Sequence, residues 1–139
     1  MKGVEQGFRW TQTYSVNIAE LDRQHQGLFL IISRLNDAME AGQGVSVMDG
    51  VLAELLEYAK NHFAAEEDLM EKHRFPGRSA HQLEHQAFGR TITHYLEDYR
   101  AGKLGAPAAL LLFLRSWLRQ HILKSDKAYS QFLNERGVR

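Results

Sequence analysis

Four stretches of the chain repeat apolar residues at helical spacing, and each repeat is interrupted by residues that could bind a metal. In the first, Leu21, Leu28, Ile32, Leu35 and Met39 form a seam stepped by three and four, with His25 in the gap between Leu21 and Leu28. The pattern predicts a helix that begins after Asn17, with Glu20 as the partner in a capping box, and runs to about Ala41 before Gly42. A second helix is expected from the cap residue Ser46 to about His73, on the seam Leu52, Leu55, Ala59, His62, Glu66 and Leu69. Phe75-Pro76-Gly77 breaks the chain, and Ser79 with Gln82 has the form of a capping pair. The third helix then reaches about Arg100, with His81, His85, Phe88, Ile92, Tyr95 and Tyr99 on one stripe. A fourth starts near Pro107, a favoured first-turn residue, and its seam is Leu110, Leu114, Trp117 and His121. Residues 1–16 lack a helical period but carry Phe8, Trp10 and Tyr14, as expected of an extended arm packing aromatic groups on the body.

Four long helices joined by short loops predict an all-α, up-down-up-down four-helix bundle over residues 17–134. The length, 139 residues, suits one domain. Antiparallel order has a chemical consequence. His25 near the start of the first helix, His62 and Glu66 near the end of the second, His81 and His85 near the start of the third, and His121 with Asp126 near the end of the fourth all fall at one end. Five imidazoles and two carboxylates at one level are the donor set of a non-haem dimetal centre. Buried without metal, several of these groups would be unsatisfied, at about 1–3 kcal/mol each. His121 and Asp126 are five residues apart, about 500° of ideal helix, which leaves them roughly 140° apart. If both reach one site, the helix must bend or pause near Lys124-Ser125.

Other histidines and acids are expected elsewhere. His94 is half a turn out of phase and belongs on the surface; His73 lies at the fraying end of its helix and reads as structural. Glu67, Asp68 and Glu84 are assigned to solvated faces, and Tyr95 and Tyr99 to the core.

Composition narrows the chemistry. Seventeen basic residues balance seventeen acidic ones, so no footprint for nucleic acid or an anionic membrane is visible. Cysteine is absent, which removes thiolate zinc and iron-sulfur sites and leaves nitrogen and oxygen to hold any metal. The N-terminus lacks the apolar core of a signal peptide, and the longest apolar run, Ala108 to Leu114, is too short to span a bilayer. A cytoplasmic protein is expected.

Trp10, Asp22-Arg23-Gln24-His25, His62-Phe63-Ala64-Ala65-Glu66-Glu67, His81-Gln82-Leu83-Glu84-His85, Trp117-Leu118-Arg119-Gln120-His121-Ile122 and Asp126 together resemble the hemerythrin family, more closely its single-domain bacteriohemerythrins. The resemblance implies two iron ions joined by an oxo or hydroxo bridge and by the carboxylates of Glu66 and Asp126. It places His81, His85 and His121 on one iron and His25 and His62 on the other. The first iron then has six donors and the second five, and dioxygen would bind at the open position. Leu28, Phe63, Trp117, Leu118 and Ile122 correspond to the family's oxygen pocket.

The function implied is reversible dioxygen binding for storage, delivery or sensing, with an oxygen-consuming or signalling protein as client. No catalytic acid or base is evident in the pocket, so binding rather than turnover is expected. A diiron oxidase, peroxidase or redox sensor is the alternative, although the Glu-x-x-His pairs of ferritin-like sites are missing from the ligand set. A structural zinc bundle is the third reading, and seven donors with two bridging carboxylates suit it less well.

Overall fold

The computed structural model describes residues 9–139, apart from the side chains of residues 44–46. Its helices are α1 (Ala19–Glu40), α2 (Gly44–Lys72), α3 (Arg78–Arg100), α4 (Ala106–Gln120) and α5 (Lys127–Asn134), with a π-helical segment His121–Asp126 joining α4 to α5. No strand occurs among the described residues. α1 packs on α2 and α4, and α3 packs on the same two, so the four long helices close into a bundle. Hydrophobic burial along the seams drives this closure. Leu21, Leu28, Ile32 and Leu35 of α1 face Leu52, Leu55 and Ala59 of α2, Phe88 and Ile92 of α3, and Leu110 and Leu114 of α4 in one buried core. Leu69 is only half-buried; the seam of α2 continues from Glu66 along the i+4 row to the fully buried Met70.

The helix ends are closed by backbone more than by side chains. α1 stops where Gly42 takes φ 76°, with Gln43 N–H on the Ala38 carbonyl and Gly42 N–H on that of Met39. α3 ends the same way at Gly102, φ 81°. This paired bonding satisfies carbonyls the helix leaves open and needs a left-handed residue, which glycine adopts without strain.

The expected side-chain caps are not formed. Asn17 has φ 58° and Ile18 stands at the N-cap, with no side-chain cap bond, and Glu20 instead meets Arg23 and Gln24. The Asp22 carboxylate reaches back to the entering segment, accepting from Ser15 Oγ at 2.6 Å and Val16 N–H at 2.8 Å. α2 begins at Gly44, before Ser46, whose side chain lies outside the described residues. α3 opens at Gly77 without Ser79, because Gln82 is drawn across to Glu67 of α2.

Before α1, the chain makes a short 3-10 turn, Gln12–Tyr14, and buries Val16 and Ile18. Trp10 and Tyr14 pack on the core, Tyr14 against Phe29 with ring centroids 4.9 Å apart. Phe8, the third aromatic of the expected arm, lies outside the described residues. No described helix is long and apolar enough to cross a membrane.

Asp22→Ala removes two hydrogen bonds that fix the entry to α1, and should lower stability by about 1 kcal/mol, the usual worth of a lost cap. Chemical denaturation of the metal-loaded variant checks this, with metal content unchanged.

Candidate metal centre

Each donor reaches the site because its helix phase puts it on the inward seam. His25, Glu66 and Asp126 are fully buried, and His62, His81, His85 and His121 nearly so. Between His121 and Asp126 the backbone is π-helical throughout. Its i→i+5 bonding widens the turn and carries residues five apart onto nearly one face, which resolves the 140° mismatch of a regular helix. His121 Nε2 and Asp126 Oδ1 consequently lie 3.1 Å apart.

The two carboxylates each span two groups of imidazoles. Glu66 turns Oε1 toward His85 Nε2, at 3.1 Å, and His81 Nε2, at 3.6 Å. Its Oε2 lies 3.1 Å from His62 Nε2 and 3.5 Å from His25 Nε2. Asp126 repeats the division: Oδ1 is 3.0 Å from His81 Nε2 and Oδ2 is 3.0 Å from His25 Nε2. One cluster is therefore Glu66, His81, His85 and His121, and the other His25, His62, Glu66 and Asp126, each with its donor atoms within 4.8 Å of one another.

The fit to metal can be tested on the protein atoms. His25 Nε2, His81 Nε2, His85 Nε2, His121 Nε2, Glu66 Oε1 and both Asp126 oxygens are buried without a hydrogen-bond partner, although nitrogen and oxygen atoms stand close together. So many unsatisfied donors in one place are rare in a folded protein. Neutral imidazole nitrogens and carboxylate oxygens in two clusters are a suitable set for two six-coordinate transition-metal ions.

Without metal, protons must do the same work. Burial opposes a charge on His25, but the Asp126 and Glu66 carboxylates outweigh it and push its pKa from 6.5 up to about 10. The same balance raises His81 to about 9 and moves His121 upward. Burial and Glu66 oppose the charge on Asp126, and His121 and His25 override them, so it ionises well below the ordinary range. Glu66 is likewise held ionised against its burial, chiefly by His62 and His25.

A surrounding layer orients the rings. Glu67 Oε2 holds His85 Nδ1 at 2.7 Å, Glu84 Oε1 holds His121 Nδ1 at 2.8 Å, and Gln24 Oε1 holds His62 Nδ1 at 2.6 Å. Gln82 and Ser125 donate to Glu67 and Glu84 in turn. Glu84 keeps a largely solvated side chain, 43% exposed, while Glu67 is half-buried; each also holds an imidazole of the next helical segment, which was not expected. Asp68 is exposed as expected. The buried Tyr129 hydroxyl donates to Glu66 Oε2 at 2.7 Å, a role no helical period announces. His94 is exposed and His73 ends α2, both outside the two clusters. Tyr95 and Tyr99 are half-buried against the core.

Beside the donors, Leu28, Phe63, Trp117 and Leu118 line a narrow cavity together with Ile32, Leu55, Ala59, Phe88 and Leu114. Ile122, also expected there, is fully buried but lies outside that lining. Phe63 stacks on His85 at 3.8 Å and Trp117 on His121 at 4.3 Å, so two ligand rings form one end of an aromatic wall.

An all-α bundle enclosing a shared carboxylate-histidine centre defines a class of metal-binding four-helix proteins, and comparison with known proteins narrows it. The Hemerythrin HHE cation binding domain matches residues 16–133, and the chain belongs to the hemerythrin family. It is 31% identical over 121 residues to a bacteriohemerythrin of Stenotrophomonas maltophilia, covering 87% of this chain and 78% of that protein. A hemerythrin-like protein of Naegleria gruberi is 32% identical over 126 residues, with 91% and 93% covered. The crystal structure of a wild-type hemerythrin superposes with a TM-score of 0.78 at 29% identity, covering 88% of this chain and 94% of the other.

The raised imidazoles and lowered carboxylates set the pH response of the metal-free protein. Groups raised in the fold stabilise it fully below their unfolded value of 6.5, and that contribution is lost as pH climbs through about 9 and 10. The lowered carboxylates stabilise it above their unfolded values, 3.8 and 4.5, and lose that contribution in acid. Thermal unfolding of the metal-free protein should therefore occur at a lower temperature at pH 10 than at pH 6.5. In the metal-loaded protein, where metal replaces those protons, the alkaline loss should be much smaller.

Proposed function

We propose that this chain binds dioxygen reversibly at a non-haem diiron centre with an oxo or hydroxo bridge, and that it serves oxygen storage, delivery or sensing as a binding protein, not an enzyme. His81, His85 and His121 would hold one iron, His25 and His62 the other, and Glu66 with Asp126 would bridge them. Ferrous iron held by these residues would supply the electrons that dioxygen binding requires.

The observation that carries the reading is the cavity walled by Phe63 and Trp117, the rings that stack on His85 and His121. It offers about 10 Å³ to the centre of a water-sized sphere, close to the minimum for one water, and its open lining is wholly apolar. A water there would lack the two or more polar partners that make such a position favourable. Small apolar molecules meet no such penalty. Leu28, Leu114 and Leu118 line the cavity with Phe63 and Phe88, whose rings meet edge-on with centroids 5.5 Å apart. Trp117 separates it from a solvent-facing hollow of about 180 Å³ lined by Glu84, Gln120, His121, Lys124 and Ser125. Exclusion of water and outside protons protects a reversibly bound gas from irreversible reduction. The cavity lining brings no carboxylate, imidazole or hydroxyl that could shuttle a proton, which favours binding over turnover.

The family relationship supports the iron assignment, and the donor set supports a pair. The client would be a separate oxygen-consuming or signalling protein.

Reversible oxygen uptake by the reduced, iron-loaded protein tests the proposal. Gas titration should show one dioxygen taken up per two irons and recovered on removal of oxygen. Immediate, permanent oxidation would contradict it and favour an oxidase, peroxidase or redox sensor. His62→Ala should abolish uptake and His94→Ala leave it intact. Leu118→Gln, which places an amide in the cavity wall, should speed permanent oxidation several-fold in air.

A further inference from the structure

The groups behind the ligands differ in kind between the two clusters. On one side, His85 and His121 each hold an anionic carboxylate at Nδ1, Glu67 and Glu84. Both carboxylates are braced, by Gln82 and Ser125. On the other side His62 has the neutral amide oxygen of Gln24, and His25 Nδ1 is buried without a partner. Tyr129 adds to the imbalance, because its hydroxyl donates to Glu66 Oε2, the oxygen facing His62 and His25, and not to Oε1.

Each difference acts in the same direction. A carboxylate accepting the Nδ1 proton increases the electron density that Nε2 can give a metal, and an amide does so less. A hydroxyl donating to a ligand oxygen withdraws density from it. We infer that the two halves of the centre hold metal unequally, and that the half built from His25 and His62 releases its ion first. Glu67 and Glu84 are the positioning residues that make the other half tight, and Gln24 keeps the first half exchangeable. The inference rests on the dimetal reading above.

The test is an air-free titration of the ferrous, iron-loaded protein with a ferrous chelator, reading iron retained per chain after desalting. Two equal steps are expected, separated by about 10- to 100-fold in chelator concentration, the usual worth of an outer partner of a ligand histidine. Gln24→Glu gives His62 a carboxylate and should move the first step toward the second. Glu67→Gln should move the second step toward the first, with circular dichroism confirming that both variants are folded. Release of two irons in one step by the unmodified protein would overturn the inference while leaving the dimetal reading intact. So would Gln24→Glu acting on the second step alone. Saturation below two irons per chain would overturn the dimetal reading, and the inference with it.

Discussion

Glu66 and Asp126 are buried completely, and the rest of the molecule is arranged around the cost of that burial. Removing a carboxylate from water costs several kcal/mol, which only close positive charge and well-placed donors can offset. Five imidazoles meet that demand, and they arrive from α1, α2, α3 and the π-helical segment that follows α4. The antiparallel order brings the correct ends together. The π-helical segment brings the last two donors into line. Where the backbone is regular, the ligands occupy positions that Leu or Ala would otherwise fill on the seam.

The remainder of the bundle compensates for this polar end. Beyond the histidines the seams are apolar, and Leu35, Leu52, Leu55, Ile92 and Leu110 are almost completely buried. That core lets one end carry polar groups whose burial has to be offset by their mutual charge interactions or by metal. The narrow cavity lies at the junction, bounded by Phe63 and Trp117, which stack on His85 and His121, and by aliphatic side chains. Its wholly apolar lining offers water no hydrogen-bond partner, whereas the hollow on the other side of Trp117, which His121 also borders, is polar.

The helices were legible because burial repeats with the helical period, and the donors because histidine and glutamate on an apolar seam violate that repeat conspicuously. The irregular turn was legible from arithmetic, since His121 and Asp126 could not share a site on a regular helix. What lay beyond reading depends on neighbouring helices. Glu67 and Glu84 look solvent-facing within their own helices, yet His85 and His121 of adjacent segments engage them. Gln24 and Tyr129 carry no phase signal for the same reason. The expected caps are missing because Glu20 and Gln82 meet other partners, and a sequence shows only the local choice. Leu69 and Met70 compete for one seam position, and helix drift decides between them.

Anomalous diffraction at the iron absorption edge from crystals of the iron-loaded protein would show whether two irons share Glu66 and Asp126. Two iron peaks are predicted, each with one oxygen of Glu66 and one of Asp126, with His81, His85 and His121 on one and His25 and His62 on the other. A single peak, or two peaks that share neither carboxylate, would contradict that arrangement.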